Sequence, residues 1–254
     1  MEIIALTNQK GGVSKTTSCV NIGTILAEQG KKVLLIDLDS QGNLTSILNI
    51  NTNDNTIRYT IYDCLCNTIG LSDAIVHTEF NVDIVPSDLN LSNADIELLN
   101  RNNKECTLKK LIEKSYLDYD YILIDCNPSL NLLTINALVA SNSFIIPLEA
   151  SILSIYGLNQ LIKIVKLIQK KLNPGLKNMG VFLAKVDSRS TLSKEFDLQL
   201  KEIFGDKLFS TIIHQNTAIV RSQINRKPIN FYDRSAKGYK EYLELTKEVM
   251  KRGN

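Results

Sequence analysis

The chain has 254 residues, 44% of them hydrophobic and 22% charged, which is enough for one well-buried domain and ordinary for a soluble globular protein. A net charge of only +2 gives no global argument for a polyanion partner, so any nucleic-acid face has to come from local clustering. No apolar run reaches the roughly 18 residues of a membrane span, and the five cysteines (Cys19, Cys64, Cys66, Cys106, Cys126) lack zinc-ligand spacing.

In chain order, the first predicted element is a strand, EIIALT (2–7), with no charged-then-apolar leader ahead of it; the chain reads as cytosolic. A glycine-containing loop follows, then a helix over 14–30 that stops at Gly30. Further strands are KVLLID (32–37), VDIVP (82–86), DYILID (120–125), SFIIPL (143–148), MGVFLA (179–184) and FSTII (209–213). Their apolar runs are continuous, as expected for strands covered on both faces. The Asn-rich stretch 49–58 reads as a surface loop. Helices are predicted over 155–175, ending at Asn173-Pro174-Gly175, and over 190–205, ending at Gly205. Strands alternating with helices imply right-handed crossovers and an α/β fold: a doubly wound, mainly parallel sheet with helices on both faces. With no repeat and no long linker, one domain over 1–254 is expected.

The first loop, QKGGVSKTT (Gln9–Thr17), follows the phosphate-loop pattern G-x-x-x-x-G-K-[ST] with departures. Gln9 stands at the first Gly and Ser14 before the lysine, while an extra lysine, Lys10, precedes the glycine pair. Strand, loop and helix come in the order a phosphate cradle needs, with backbone N–H groups and a helix N-terminus converging on an anion. Gly11 and Gly12 allow close backbone approach and positive φ; Lys15 would reach the β- and γ-phosphates and Thr16 would hold Mg²⁺. Ser14 at positive φ would cost on the order of 1 kcal/mol. Two further strands end in carboxylates: LLIDLDSQGN delivers Asp37 and Asp39, and YDYILIDCNPS delivers Asp125, placed to hold Mg²⁺ directly or through water. The two histidines, His77 and His214, lie far apart and support neither a metal pair nor a Ser-His-Asp arrangement. No aromatic-rich surface suggests single-strand stacking.

KGG-x-x-KTT, DLDSQGN and ILIDCNPSLNLLTINAL together resemble the ParA/Soj/MinD family of deviant-Walker P-loop ATPases. The likeness runs on through GVFLAKVDSRSTLS, GDKLF and KPINFYDRSAKGYKEYLELTKEV, and is closest to the short, Soj-like partition ATPases. It implies ATP and Mg²⁺ as cofactors, with Lys10, Gly11, Gly12, Val13, Ser14, Lys15, Thr16, Thr17 and Asn216 at the nucleotide. Thr16, Asp39 and Asp125 would lie at the metal, and Lys10, Lys15 and Asp39 would be catalytic. Lys10 would reach across a homodimer to the partner's phosphates, where an added cation offsets two buried triphosphates. The resemblance also implies a ParB-like partner, non-specific double-stranded DNA and a cytoplasmic, nucleoid-associated protein.

Departures from the family fall at Asn127, in SILSIYG (151–157) and in IHQNTAIVRSQINRKP (213–228), where Gln215 and Ala218 replace arginines that would touch DNA. Cations elsewhere in the C-terminal third (Arg221, Arg226, Lys227, Arg234, Lys237, Lys240), with Arg189, offer a substitute stripe for phosphate contact. A MinD-like membrane-positioning ATPase is the alternative; the last helix has Leu243, Leu245, Val249 and Met250 for packing but no bulky apolar tail to insert. A scaffold ATPase related to iron–sulfur carriers would need a cysteine pair at a dimer axis, which Cys64, Cys66 and Cys126 do not convincingly supply.

Overall fold

The computed structural model describes residues 1–54, 56–149, 152–187 and 200–253. Its centre is a seven-stranded sheet. β1 is Glu2–Leu6, β2 Val33–Leu38, β3 Val76–His77, β4 Asp83–Val85, β5 Tyr121–Cys126, β6 Ser143–Glu149 and β7 Lys177–Ala184, in the order β3-β4-β2-β5-β1-β6-β7. Every pairing is parallel except β3 with β4. The fold class read from the sequence therefore holds.

Side chains of one strand alternate between the two faces. Ile3 and Ala5 of β1, Leu34 and Ile36 of β2 and Ile122 and Ile124 of β5 pack into one core; Ile4, Leu6, Leu35 and Leu123 pack into the other. The first core is closed by α6 (Leu132–Ala140) and α7 (Ile152–Lys171). The second is closed by α1 (Lys15–Glu28) and the last helix, α10 (Lys237–Gly253). Inside α1, Gly23 lets the helix sit close on the sheet, since a Cβ there would lie 2.6 Å from a Leu35 methyl. The fully buried Tyr242 of α10 meets Ser18 of α1 through a 3.0 Å hydroxyl pair. The shorter helices are α2 (Asn43–Ile47), α3 (Ile61–Cys66), α4 (Ala94–Leu98), α5 (Thr107–Lys114), α8 (Thr217–Ile224) and α9 (Ile229–Tyr232).

One expectation needs correction. The stretch 209–213 is no strand. It runs beside β7 and donates from Phe209 N to Val181 O (2.8 Å) and from Ile213 N to Leu183 O (2.9 Å). The N–H groups between, on Ser210 and Thr211, instead donate to the Glu248 carboxylate of α10 at 2.9 and 2.8 Å, so the ladder is interrupted by a side chain. β3 was not anticipated, because two residues carry no period. Of the helix expected over 190–205, residues 200–204 are helical and the rest lies outside the described residues; Arg189 lies outside them as well.

Candidate active site

The sheet places the motif residues along one edge, the carboxyl ends of β1, β2 and β5. Parallel register sets Leu6 beside Asp125 and Asp125 beside Asp37, so the phosphate loop leaving β1 adjoins both carboxylates. Asn8 braces the loop, donating to Pro147 O at 2.8 Å and accepting from Lys10 N at 3.0 Å. Gly12 (φ 77) and Ser14 (φ 71) are left-handed, so the serine occupies a backbone state that suits glycine. Gly11, expected to share it, does not take positive φ. A Cβ at either glycine would meet nothing within 4 Å, which leaves a cradle open over the loop. Val13 is fully buried beneath it.

Lys15 opens α1 and is only 7% exposed, with its ammonium 3.2 Å from Lys10 O. Burial lowers its pKa, opposed chiefly by the Asp125 charge. Thr17 accepts at 2.6 Å from Gln223 of α8, which ties the loop helix to the C-terminal segment. Asp125 and Asp37 are both fully buried. Asp37 is well satisfied: it accepts from Asp39 N (3.1 Å), Thr45 N (3.0 Å) and the Thr45 hydroxyl (2.7 Å), yet desolvation still pushes its pKa up to about 6. Neither oxygen of Asp125 has a hydrogen-bond partner of normal geometry. Burial first, and then the Asp37 charge, drive its pKa well above the carboxylate range, while Thr16 and Lys15 nearby oppose them.

Asp39 sits at the rim, held by its backbone bond to Asp37 and accepting from Gln41 N at 3.0 Å. Together with Gly11, Gly12, Ser14, Lys15, Thr16, Thr17, Pro128 and Lys185 it lines a cleft of about 590 Å³. A second cleft of about 590 Å³ shares Ser14, Thr17, Lys185 and Gln223 and extends to His214, Gln215 and Asn216. Asn216 caps α8, its side chain accepting from Ala218 N at 2.8 Å.

The structure thus gathers Gly11, Gly12, Ser14, Lys15, Thr16, Thr17 and Asp39 at one cleft, with Val13 buried beneath the loop, Asp125 buried near Thr16 and Lys15, and Asn216 at the extension. Lys10 also adjoins it, paired with Glu149 at the end of β6 at 2.6 Å. Arg221 and Arg226, the cations chosen for DNA, are exposed on and just beyond α8. The wider stripe is thinner than the sequence suggested. Arg234 pairs with Glu28 (3.1 Å) and Lys237 with Glu241 (3.4 Å), contacts that local spacing does not announce for Arg234. Sequence reasoning did not anticipate Lys185, Gln223, His214 or Glu149 at the site. The only available signal was their position just after predicted strands or in the divergent 213–228 segment.

A phosphate cradle at the carboxyl edge of a doubly wound sheet, with a buried lysine and strand-end carboxylates, defines a P-loop nucleotide-binding protein. A family model described as "AAA domain" matches residues 1–178. The sporulation initiation inhibitor protein Soj of Bacillus subtilis is 44% identical over 253 residues, covering 99% of both chains. A chromosome partitioning protein ParA of Caulobacter vibrioides is 38% identical, covering 99% of this chain and 95% of the relative. Among solved structures, a putative plasmid partition protein of Borrelia burgdorferi bound to AMPPNP superposes with a TM-score of 0.84 at 29% identity, over 98% of each chain. A cobyrinic acid a,c-diamide synthase of Mycobacterium smegmatis with bound ADP and magnesium gives 0.85 at 32% identity, over 97% of this chain and 93% of the other. The chain belongs to the ParA/Soj/MinD family of deviant-Walker P-loop ATPases.

Proposed function

We propose that this protein is an ATP-dependent dimerising switch for plasmid or chromosome partition. It hydrolyses ATP to ADP and phosphate, slowly by itself and faster with a ParB-like partner. The observation that carries the reading is Asp125: a fully buried carboxylate, neither oxygen of which has a hydrogen-bond partner of normal geometry, next to the cleft residues Thr16 and Lys15. A buried charge without a partner is costly, and a divalent cation held with Thr16 and neighbouring Asp39 meets that need. Thr16, Asp39 and Asp125 would hold Mg²⁺, which when bound would supply positive charge against the charge developing on the phosphates.

The chain's own residues supply the rest. Lys15 and the loop N–H groups hold the triphosphate, the open faces of Gly11 and Gly12 admit it, and Asp39 orients the attacking water. The base runs into the second cleft past Asn216. Lys10 serves the partner subunit's phosphates in an ATP-bound homodimer, after leaving Glu149. The dimer binds double-stranded DNA without base readout through Arg221, Arg226 and Arg189, and hydrolysis releases it. The chromosome-partitioning and plasmid-partition names of the relatives support this destination, and with it a cytoplasmic, nucleoid-associated protein. Among the described residues no helix is long and apolar enough to cross a membrane. The whole chain, 1–254, acts as one unit in this reading.

The test is Lys15→Ala. Loss of a buried charge-assisted contact should weaken ATP binding by about 100-fold or more, with circular dichroism unchanged. Wild-type ATP affinity in the folded variant overturns the phosphate-loop reading.

A further inference from the structure

We infer that His214, held by Glu241, reads the base of the nucleotide and sets a preference for adenine over guanine. The inference rests on the ATP site proposed above, whose base end is the second cleft. His214 lines that cleft together with Asn216 and the side chains of Ile213, Ile219 and Tyr242, which offer apolar surface to a flat ring in an otherwise mixed wall. The cleft continues from the phosphate loop through Ser14, Thr17, Lys185 and Gln223, so a nucleotide seated on the loop directs its base toward His214.

Glu241 fixes the ring in two ways. One carboxylate oxygen lies 2.6 Å from Nδ1, and the other accepts the backbone N–H of the same residue at 2.9 Å. Lys237 Nζ stands 3.4 Å from the first oxygen. An ionised carboxylate only accepts, so the proton of the neutral ring belongs on Nδ1 and Nε2 keeps its lone pair. His214 lines the cleft and Glu241 does not, and with Nδ1 held by the carboxylate, Nε2 is the remaining polar atom of the ring. Adenine presents an exocyclic N–H donor where guanine presents a carbonyl oxygen. An acceptor facing the amine makes a hydrogen bond, whereas facing the carbonyl it leaves two acceptors opposed, which is how a polar site rejects a near-isostere. His214 is thus a specificity-determining residue and Glu241 a positioning residue that sets its tautomer.

Binding of ATP and of GTP, each with Mg²⁺, would be measured calorimetrically on the full chain. His214→Ala should reduce the ATP:GTP affinity ratio about tenfold, mainly through weaker ATP binding. Glu241→Gln is the sharper test. The backbone N–H of His214 still requires the amide oxygen, so the amide NH₂ turns to Nδ1 and the ring proton moves to Nε2. That converts the reader from acceptor to donor, and the ratio should shift toward GTP beyond the His214→Ala value, a result that loss of packing does not produce. An unchanged ratio in both variants, with ATP still bound, overturns the role of His214 and leaves the ATP site standing. Failure of the wild type to bind either nucleotide overturns the site itself. Should Glu241→Gln melt before titration, nitrogen NMR of the wild-type ring decides. An unprotonated Nε2 that shifts with ATP supports the assignment, and a protonated Nε2 overturns it.

Discussion

Asp37 and Asp125 stand side by side at the ends of β2 and β5, and burial acts on them unequally. Thr45 and the backbone stabilise the Asp37 charge, while neither buried oxygen of Asp125 has a hydrogen-bond partner of normal geometry. Both acids have raised pKa values in the folded chain. Protonation is then favoured by folding: their stabilising contribution is fully present below the unfolded value near 3.9 and is lost as pH rises through the folded values. Replacing Asp125 by Asn removes the repelled charge. The nucleotide-free variant should melt a few degrees higher than wild type above about pH 6, and the difference should close as pH falls toward 4. Added Mg²⁺ and ATP should raise the wild-type melting temperature more than the variant's. A gap that does not depend on pH would show that Asp125 is not strained by its charge.

The arm 208–214 is the element whose structure departs most from its local pattern. FSTII has strand composition, yet two of its N–H groups go to Glu248 at the positions where a ladder would continue. The Thr211 hydroxyl joins them at 2.5 Å. A carboxylate from a helix later in the chain competes with a strand partner, and no window over 209–213 contains that information. The arm leads directly into His214, so Glu248 positions the second cleft. Glu248→Ala should leave these donors unsatisfied and cost about 2 kcal/mol, or about 4–8 °C in melting temperature for a chain of this size. Thermal denaturation with and without ATP checks it; wild-type stability would assign the arm's position to its β7 contacts instead. The strands with continuous apolar runs, in contrast, are present within two residues of their expected ends, because burial on both faces is written in adjacent residues. Ser14 shows the same legibility in the loop, where its place before Lys15 already implied the left-handed state found there.

At the scale of the whole molecule, the proposed function depends on two surfaces. Lys10 is paired with Glu149, both side chains being partly exposed (40% and 36%), so the contact is a weak restraint that a triphosphate can displace. Lys10→Ala should bind ATP with near-wild-type affinity but lose the ATP-dependent rise in mass seen by light scattering. An undiminished dimer would remove Lys10 from the interface. DNA binding should require ATP, because dimerisation doubles the basic patch, and should weaken with salt at a log–log slope of about −0.9 per phosphate contact. Combined Arg189→Glu, Arg221→Glu and Arg226→Glu should abolish it and leave dimerisation intact. If the wild-type ATP dimer ignores DNA even at low salt, the replacement of family arginines by Gln215 and Ala218 is decisive and another matrix is needed.

The phosphate loop, the strand-end carboxylates and the layered fold were determined by the sequence itself, since each rests on contiguous residues: a nine-residue motif, an Asp after four apolar residues, and apolar runs between glycine stops. Only the tertiary structure decided which of these groups meet. The register of β2 on β5 puts Asp37 against Asp125, and Lys10 finds Glu149 across 139 residues of chain. Glu241 reaches back from the last helix to His214, and Gln223 reaches from α8 to Thr17. Such pairings depend on which strands become neighbours and where a later helix lies on the sheet, and packing sets both without leaving a period or spacing in the chain.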